Sequence, residues 1–332
     1  MITKPTVLVL GAGASIPYGY PSGAGLLKDI FTNITSNLWR ETYSNCGLDY
    51  KEMDVLNSEL NLSQMPSIDA FLEHRRDEFL KAGKAAIALS LLSKENPDTF
   101  NDFDIREKGI YHFLYNNLTT SWEEFRENKL TVVTFNYDRS LEHFLFSALK
   151  HSYNKSDSQV AEAIQAIPII HVHGSLGPLP WQEDGGIDYY PLFRRDQGAS
   201  EIAKRIKVAS ENIIIVSEAQ PKSQEFAFAF ERLKQADRIY FLGFGYYPVN
   251  LERLGLLELN YLDETLPGSS KQGIRRGNTI ITRESVKYSI RHFRGSASAS
   301  EVHRFNQSKI SGVLGFLTTR VMPLSFSRNI RT

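Results

Sequence analysis

Four short clusters of glycine and polar residues contain the groups that can do chemistry in this chain. They are Gly11-Ala-Gly-Ala-Ser15, Asn136-Tyr-Asp138, His173-Gly-Ser175 and Gly243-Phe-Gly245. A glycine turn between a strand and a helix directs backbone N–H groups at one point, which suits a diphosphate. An amide and a carboxylate can hold ribose hydroxyls or a water, and a histidine can accept a proton near neutral pH. Together these residue types indicate a site for a nucleotide.

Each cluster also has a plain structural interpretation when it is taken alone. A GxG turn is a weak nucleotide signal here, because Ile16 occupies the place of the third glycine in the dinucleotide fingerprint. Ser15 and Asp138 are residue types that cap helices, and a histidine after a strand, such as His173, is more often structural than catalytic. The late glycines suit a tight turn. The functional interpretation therefore depends on whether the clusters meet.

The elements that precede the clusters predict that they do meet. Buried strands are predicted at residues 6–10, 130–135, 167–172 and 238–242, and each ends where a cluster begins. Strands that alternate with helices indicate a parallel sheet with helices on both faces. In such α/β sheets ligands bind at the carboxyl ends of the strands. We expect His171 to lie on the same strand face as His173, but deeper.

The rest of the chain is predicted to be mainly helical. Residues 36–128 form a helical insertion over the sheet edge, including a long amphipathic helix that begins after its N-cap Ser67 and has Asp69 in its first turn. Residues 174–198, rich in glycine, proline and aromatic residues, are predicted to cover the site as a lid. Other predicted helices lie at residues 26–34, 107–118, 122–128, 139–149, 200–212 and 223–236, with a further strand at 213–216.

The composition favours a globular cytoplasmic protein. Of the 332 residues, 42% are hydrophobic and 23% are charged. No apolar run reaches the roughly 18 residues that a membrane helix needs, and we expect no signal peptide because a strand begins almost at the first residue. The single cysteine, Cys46, excludes an internal disulfide and fits a reducing compartment.

The charge is unevenly distributed, although the net charge is zero. From Lys271 onward there are twelve Lys and Arg residues against two acidic ones, Glu284 and Glu301. We therefore divide the chain into a domain at residues 1–282 and a basic C-terminal segment at residues 283–332. Such a segment can contact nucleic acid, an acidic partner or a sister subunit, or it can be an ordinary solvated surface.

In type and order, the four clusters resemble the sirtuin-like NAD-binding family. Its members show a GAGxS loop, a TxNxD strand end, an HG pair and a late glycine-containing strand end. The matching residues here are Gly11–Ser15, Thr134-Phe-Asn-Tyr-Asp138, His173-Gly174 and Gly243-Phe-Gly245. Two runs, Ser67-Ile-Asp69-Ala-Phe71 and Gly243-Phe-Gly-Tyr-Tyr-Pro-Val-Asn250, favour the bacterial branch, whose members look like NAD hydrolases of antiphage defence. The resemblance spans residues 6–280 and implies a Rossmann-type fold.

The resemblance also implies a reaction and the residues for it. Asn136 and His173 are expected to be the catalytic pair: Asn136 holds a water or a ribose hydroxyl, and His173 takes a proton. NAD is the substrate, its N-glycosidic bond is cleaved to nicotinamide and ADP-ribose, and no metal is expected. The residues implied to bind NAD are Gly11, Ala12, Gly13, Ala14, Ser15, Asp69, Thr134, Asp138, Gly174, Gly243, Gly245 and Asn250.

Two other functions are considered alongside NAD hydrolysis. The first is a non-catalytic module that binds NAD or ADP-ribose and regulates a partner. The second, protein deacylation or ADP-ribosylation, is disfavoured because one cysteine cannot form the four-cysteine zinc module of the deacylases, and Tyr20-Pro-Ser-Gly23 replaces their Pro-Asp-Phe-Arg run. No sensor domain is recognisable in the sequence, so we expect activation by homo-oligomer assembly or by a partner. Family association alone suggests a defence partner such as a DNA-translocating ATPase.

Overall fold

The strands of the described residues form one sheet. A computed structural model describes residues 1–215, 223–245, 248–256 and 277–282. Its strands are β1 (Thr6–Leu10), β2 (Leu130–Thr134), β3 (Ile169–His171), β4 (Arg238–Phe244) and β5 (Gly277–Thr282), in the spatial order β3–β2–β1–β4–β5. The first four run parallel, and β5 pairs antiparallel with β4. The predicted α/β fold with a parallel sheet is confirmed.

β1 lies at the centre of the parallel strands and sets the level at which they end. Its residue Leu10 pairs with Thr134 of β2 and with Leu242 of β4, and Thr134 pairs in turn with His171 of β3. The chain continues from β1 toward β2 and β3 on one side, whereas β4 lies on the other side. The strand order therefore reverses between β1 and β4, and such a reversal opens a crevice at the carboxyl edge.

Twelve α-helices surround this sheet within the described ranges. They are α1 (Gly23–Asn33), α2 (Asn37–Asn45), α3 (Tyr50–Leu62), α4 (Ile68–His74), α5 (Arg76–Leu92), α6 (Phe103–Lys108), α7 (Ile110–Leu118), α8 (Ser140–Tyr153), α9 (Asp157–Ile164), α10 (Ala199–Asn212), α11 (Gln224–Gln235) and α12 (Pro248–Arg253). Residues 36–128 thus consist of helices and turns.

Helices cover both faces of the sheet, as predicted. Every residue of β1 is buried, because alternate side chains enter different hydrophobic clusters. Val7 and Val9 join a cluster with residues of α11 and α12, including Phe226. Leu8 and Leu10 join a larger cluster to which α1, α5, α8, α9 and α10 contribute.

The long helix predicted after Ser67 is two helices, α4 and α5. Ser67 is the predicted N-cap, and its Oγ accepts a hydrogen bond from the Ala70 N–H at 3.1 Å. The helix breaks at Arg75, whose φ of −120° and ψ of 38° lie outside the helical region. The break lets α4 pack against α5 at Gly83, where an added Cβ would lie 2.5 Å from Leu72.

Several other predicted elements differ in extent. The helix predicted at residues 107–118 is divided into α6 and α7 at Gly109, and the helix predicted at 122–128 is a short 3-10 turn, Phe125–Glu127. β3 is shorter than its predicted range of 167–172. Of the strand predicted at 213–216, residue 216 lies outside the described residues, and Ile213 forms an isolated bridge with Gly174.

The basic C-terminal segment predicted at residues 283–332 lies outside the described residues. Among the residues that the structure describes, none of the helices combines the length and apolar character required to span a membrane.

Candidate functional site

The four clusters follow the four parallel strands at one edge of the sheet. Gly11–Ser15 follows β1, Asn136 lies two residues beyond β2, and His173 lies two residues beyond β3. Gly243 belongs to the last residues of β4. Because Thr134 and His171 are register partners, Asn136 and His173 occupy equivalent positions at adjacent strand ends. The loops after β1 and β4 flank the point where the strand order reverses.

The loop after β1 contains two 3-10 turns, Ala12–Ala14 and Ile16–Tyr18, of which the first lies in the glycine cluster. Three of its N–H groups bind within the protein: Gly11 donates to Leu242 O, Ala14 to Gly11 O and Ser15 to Ala12 O, at 2.9–3.1 Å. The N–H groups of Ala12 and Gly13 stand at the start of the turn, where an anion is favoured. Gly13 is exposed. A diphosphate would therefore meet Ala12 and Gly13, and not the whole loop.

The glycines Gly11, Gly13 and Gly243 let the loop after β1 pack against the end of β4. An added Cβ would lie 2.6 Å from Gly243 O at Gly11 and 2.7 Å from Gly243 Cα at Gly13. Gly243 has a φ of +60°, and a Cβ there would lie 2.1 Å from the Ala14 nitrogen. Gly174 has a similar constraint, because a Cβ added there would lie 1.9 Å from Asn212 O. Gly245, in contrast, is exposed. Close packing of backbones accounts for the first three glycines.

Replacing Gly243 by alanine is expected to lower the free energy of unfolding by about 2 to 3 kcal/mol more than a matched control. The variant combines a left-handed backbone with a clash against the Ala14 nitrogen. In the control, Gly185→Ala, φ is +85° and the added Cβ meets nothing within 4 Å, so only the conformational cost of about 1 kcal/mol remains. Denaturant titration compares the two variants, and equal losses would contradict the packing argument.

The Asn136 side chain is fixed on the loop after β1. Its Nδ2 donates to Gly11 O at 3.0 Å and to Ser15 Oγ at 2.9 Å. Its backbone N–H donates to Thr134 Oγ1 at 3.1 Å. An amide has two donor hydrogens and one acceptor oxygen, so both donors are engaged and Oδ1 is left to accept. Asn136 can therefore receive a hydrogen bond from a water or a ribose hydroxyl, but has no N–H to give.

A chain of hydroxyl groups continues from Ser15 to Asp138. The Tyr111 hydroxyl of α7 lies 3.3 Å from Ser15 Oγ and 2.8 Å from Ser140 Oγ, and Ser140 donates its hydroxyl to Asp138 Oδ1. Burial raises the pKa of Asp138, and hydrogen bonds from Ser140 and Ser15 oppose that rise. Asp138 thus lies inside the network, and its Oδ1 also accepts a hydrogen bond from the Ser140 N–H, the first of α8, at 3.3 Å.

His171 supports Asn136 from the next strand. Its Nδ1 lies 2.9 Å from Asn136 O and its Nε2 lies 2.5 Å from Glu142 Oε1. Burial lowers the pKa of His171, but the Glu142 carboxylate, the hydrogen bond to Asn136 O and the charge of Asp138 together outweigh this, and the net pKa is raised. Both partners are acceptors, which favours the doubly protonated imidazolium. Ser15, Asn136, Asp138, Glu142 and His171 line a cavity of about 10 Å³, room for at most one water.

His173 lies in an aromatic environment. Its ring is 5.3 Å from that of Phe135 and 5.5 Å from that of Phe226. The residue is 5% exposed, and its Nδ1 is buried without a hydrogen-bond partner in the described part of the chain. The prediction that His171 and His173 share a strand face is wrong: His171 lies with Asn136, whereas His173 contacts rings of the cluster on the other face. β3 ends at His171, so strand alternation does not reach His173.

Burial lowers the pKa of His173 to about 4, and the positive charge of Arg253 contributes. Arg253 ends α12, and its Nη2 lies 3.6 Å from Glu73 Oε1. Its Nη1 is also buried, with no hydrogen-bond partner within the described ranges. Asn250, three residues earlier, is partly buried. The strand ends therefore present two polar atoms, one on an imidazole and one on a guanidinium, that a ligand could satisfy.

Asp69 reaches the site through Tyr137. Its Oδ1 accepts a hydrogen bond from the Tyr137 hydroxyl at 2.5 Å, and burial raises the pKa of Asp69 although that hydrogen bond opposes the rise. Since Tyr137 stands between Asn136 and Asp138 in the chain, α4 is tied to the strand end that carries both.

The loop predicted as a lid is packed into the protein by buried charges. Glu95 accepts hydrogen bonds from Arg139 Nε at 2.8 Å and from Arg205 Nη2 at 3.1 Å, and all three side chains are at most 1% exposed. Arg139 also donates to the carbonyl oxygens of Gly177, Pro178, Ile187 and Asp188. Residues 174–198 are therefore anchored to the interior.

Buried His173 and His143 are expected to lower the free energy of unfolding as the pH falls from 7.5 to 5, whereas His171, whose pKa is raised, contributes in the opposite direction. Burial lowers the pKa of both His173 and His143 to about 4, while an unfolded histidine titrates near 6.5. Between these values the unfolded chain binds protons that the folded protein does not, so acid favours unfolding. At pH 5, His173→Gln should recover about 2 kcal/mol of this loss. The exposed His151→Gln should recover none; equal pH dependence in both variants would contradict the assignment.

The sequence pointed to Asn136, His173, Asp138 and the loop after β1, but missed Tyr111, Glu142 and Arg253. Glu142 lies four residues after Asp138, on the first turn of α8, and that spacing is its only local signal. Within the described ranges no group of three or more His, Cys, Asp or Glu side chains is arranged to hold a metal ion.

Comparison of the sequence with protein-family models and with curated proteins finds no significant match. The fold is that of an α/β protein with a four-stranded parallel sheet of Rossmann-like architecture. Because this architecture occurs with many functions, only the residues of the site indicate what the protein does.

Proposed function

We propose that this protein is an NAD⁺ glycohydrolase, which cleaves the bond between nicotinamide and ribose. The observation that carries the proposal is the attachment of Asn136 to Gly11 and Ser15 at the reversal of strand order. These hydrogen bonds place the Asn136 amide, whose Oδ1 remains able to accept, next to a turn that favours an anion. The motif resemblance to sirtuin-like NAD hydrolases selects NAD⁺ among nucleotides.

In the proposed complex, the diphosphate lies at the N–H groups of Ala12 and Gly13. The nicotinamide riboside spans the adjacent ends of β2 and β3, where Asn136 approaches it from one face of the sheet and His173 from the other. Breaking the N-glycosidic bond leaves its electron pair on nicotinamide, which departs neutral, and positive charge develops on the ribose. The buried carboxylate of Asp138 favours that charge electrostatically.

A water then adds to C1′ of the ribose and loses a proton. Asn136 Oδ1 accepts a hydrogen bond from that water, and His173 takes the proton. A base with a pKa near 4 suffices, because water bonded to a carbocation is a much stronger acid than free water. The products are ADP-ribose, nicotinamide and one proton.

A second candidate is a module that binds NAD⁺ or ADP-ribose without cleaving it. The observation that favours it is the engagement of both Asn136 donors, together with the depressed pKa of His173. Such a module would bind the nucleotide tightly and release no nicotinamide.

The biological role that we propose is depletion of NAD⁺ during antiphage defence, after activation by self-assembly or by a partner such as a DNA-translocating ATPase. It rests on the motif resemblance. Native mass measurement gives the number of subunits, and a monomer at all concentrations would argue against self-assembly.

The test of the proposed reaction is incubation of the purified full chain with NAD⁺, with nicotinamide and ADP-ribose measured by chromatography. Calorimetry with ADP-ribose is run on the same preparation. Release of both products supports hydrolysis. Tight binding with no release, both with and without conditions that promote assembly, supports the second candidate.

A further inference from the structure

We infer that Tyr111 is a positioning residue that fixes the orientation of the Asn136 amide through the hydroxyl chain Ser15–Tyr111–Ser140–Asp138. This inference deepens the proposed function, since the amide orientation decides which atom faces the substrate. Tyr111 belongs to the helical block before β2, far from Asn136 in the sequence.

The direction of the hydrogen bonds follows from the buried carboxylate at one end. Ser140 gives its hydroxyl hydrogen to Asp138 Oδ1, so at 2.8 Å the Tyr111 hydroxyl must donate to Ser140. The Tyr111 oxygen is then free to accept from Ser15 at 3.3 Å. Ser15 has a single hydroxyl hydrogen, which it can give to Tyr111 or to Asp138. Only the bond to Tyr111 makes the tyrosine hydroxyl responsible for turning the Ser15 lone pair toward Asn136, and the Tyr111→Phe variant distinguishes the two.

This polarity admits one orientation of the Asn136 amide. With Nδ2 inward, it donates to Ser15 Oγ at 2.9 Å and to Gly11 O at 3.0 Å. A flipped amide would place Oδ1 against the Gly11 carbonyl oxygen and against a hydroxyl lone pair, two repulsive contacts. The chain of hydroxyl groups therefore directs Asn136 Oδ1 away from the loop after β1, as the proposed contact with water requires.

The Tyr111 ring is held independently of its hydroxyl. It stacks on Tyr18 with ring centroids 3.9 Å apart, and its backbone N–H donates to the Tyr18 hydroxyl at 2.8 Å. Burial raises the pKa of Tyr111 well above its usual value, which keeps the phenol protonated. Tyr111→Phe thus removes one hydrogen-bonding group and preserves the packing.

The experiment compares Tyr111→Phe with Tyr115→Phe. The Tyr115 hydroxyl lies one helical turn away from that of Tyr111 and donates to Ala148 O at 3.4 Å. In the full chain acting on NAD⁺, Tyr111→Phe is expected to lower kcat about tenfold and to leave KM and ADP-ribose affinity within about twofold. Tyr115→Phe should change none of these.

A second measurement separates failure of this inference from failure of the proposed function. The side-chain NH₂ signals of Asn136, assigned by their loss in Asn136→Asp, are followed for exchange with solvent by NMR. Faster exchange in Tyr111→Phe supports the positioning role even if the parent cleaves no NAD⁺. Unchanged exchange, or unchanged kcat in an active parent, would overturn it.

Discussion

Replacing His173 by alanine is expected to reduce the rate of nicotinamide release from NAD⁺ at least about a hundredfold, because general-base assistance typically contributes 10²- to 10⁴-fold. His173 is 5% exposed and its Nδ1 has no hydrogen-bond partner among the residues that the structure describes, so within that part of the chain the ring can receive a proton without first breaking a hydrogen bond. The measurement is the initial rate of nicotinamide formation at saturating NAD⁺.

Three controls make this result specific to the imidazole. His173→Gln fills more of the aromatic pocket than alanine does, and should be equally inactive. His151→Ala removes an exposed histidine of α8 and should retain full activity. ADP-ribose affinity should persist in the His173 variants, which shows that the pocket still forms. A His173→Ala protein as active as the parent would defeat the assignment of His173 as the base.

Glu95→Gln is expected to lower the free energy of unfolding by about 3 to 5 kcal/mol, because it leaves two buried guanidinium groups without their counter-charge. Glu95 is fully buried, and Arg139 and Arg205 are each 1% exposed. The glutamine has the same shape, so the loss reports charge and not volume. Denaturant titration followed by circular dichroism measures it.

The matched control for Glu95→Gln is an ion pair at the surface. Arg126 and Glu162 approach to 2.9 Å but are 46% and 63% exposed, and Glu162→Gln should cost less than about 1 kcal/mol. If the two substitutions cost the same, the buried cluster would contribute no more than a surface pair, and its role in anchoring residues 174–198 would have to be abandoned.

The parallel sheet was predictable because each strand carries its own signal. Thr6–Leu10 is a short apolar run that leads into a glycine turn, and similar local patterns identify β2 and β4. Ser67 was recognised as an N-cap for the same reason, since a cap acts within four residues. The break at Arg75 was not predicted, because the apolar spacing continues across it and only the contact of Gly83 with Leu72 shows why the chain bends.

The candidate site was predictable only where one strand end supplies the side chain. Asn136 and Asp138 leave the same strand end, but Tyr111 approaches Ser15 from 96 residues away, and no local pattern encodes that distance. The two histidines show the same limit. Alternation placed them on one face, whereas the end of β3 at His171 lets His173 turn toward Phe135 and Phe226.

Asp138 and Arg139 are consecutive residues, yet one belongs to the candidate site and the other to the buried charge cluster. Arg139 is held by Glu95 and by carbonyl oxygens of residues 177–188. The backbone that carries the Asp138 carboxylate is therefore anchored to the buried charge cluster. On heating, the capacity to bind nucleotide should vanish over the same temperature interval as the tertiary structure, with no earlier partial melting of the binding edge.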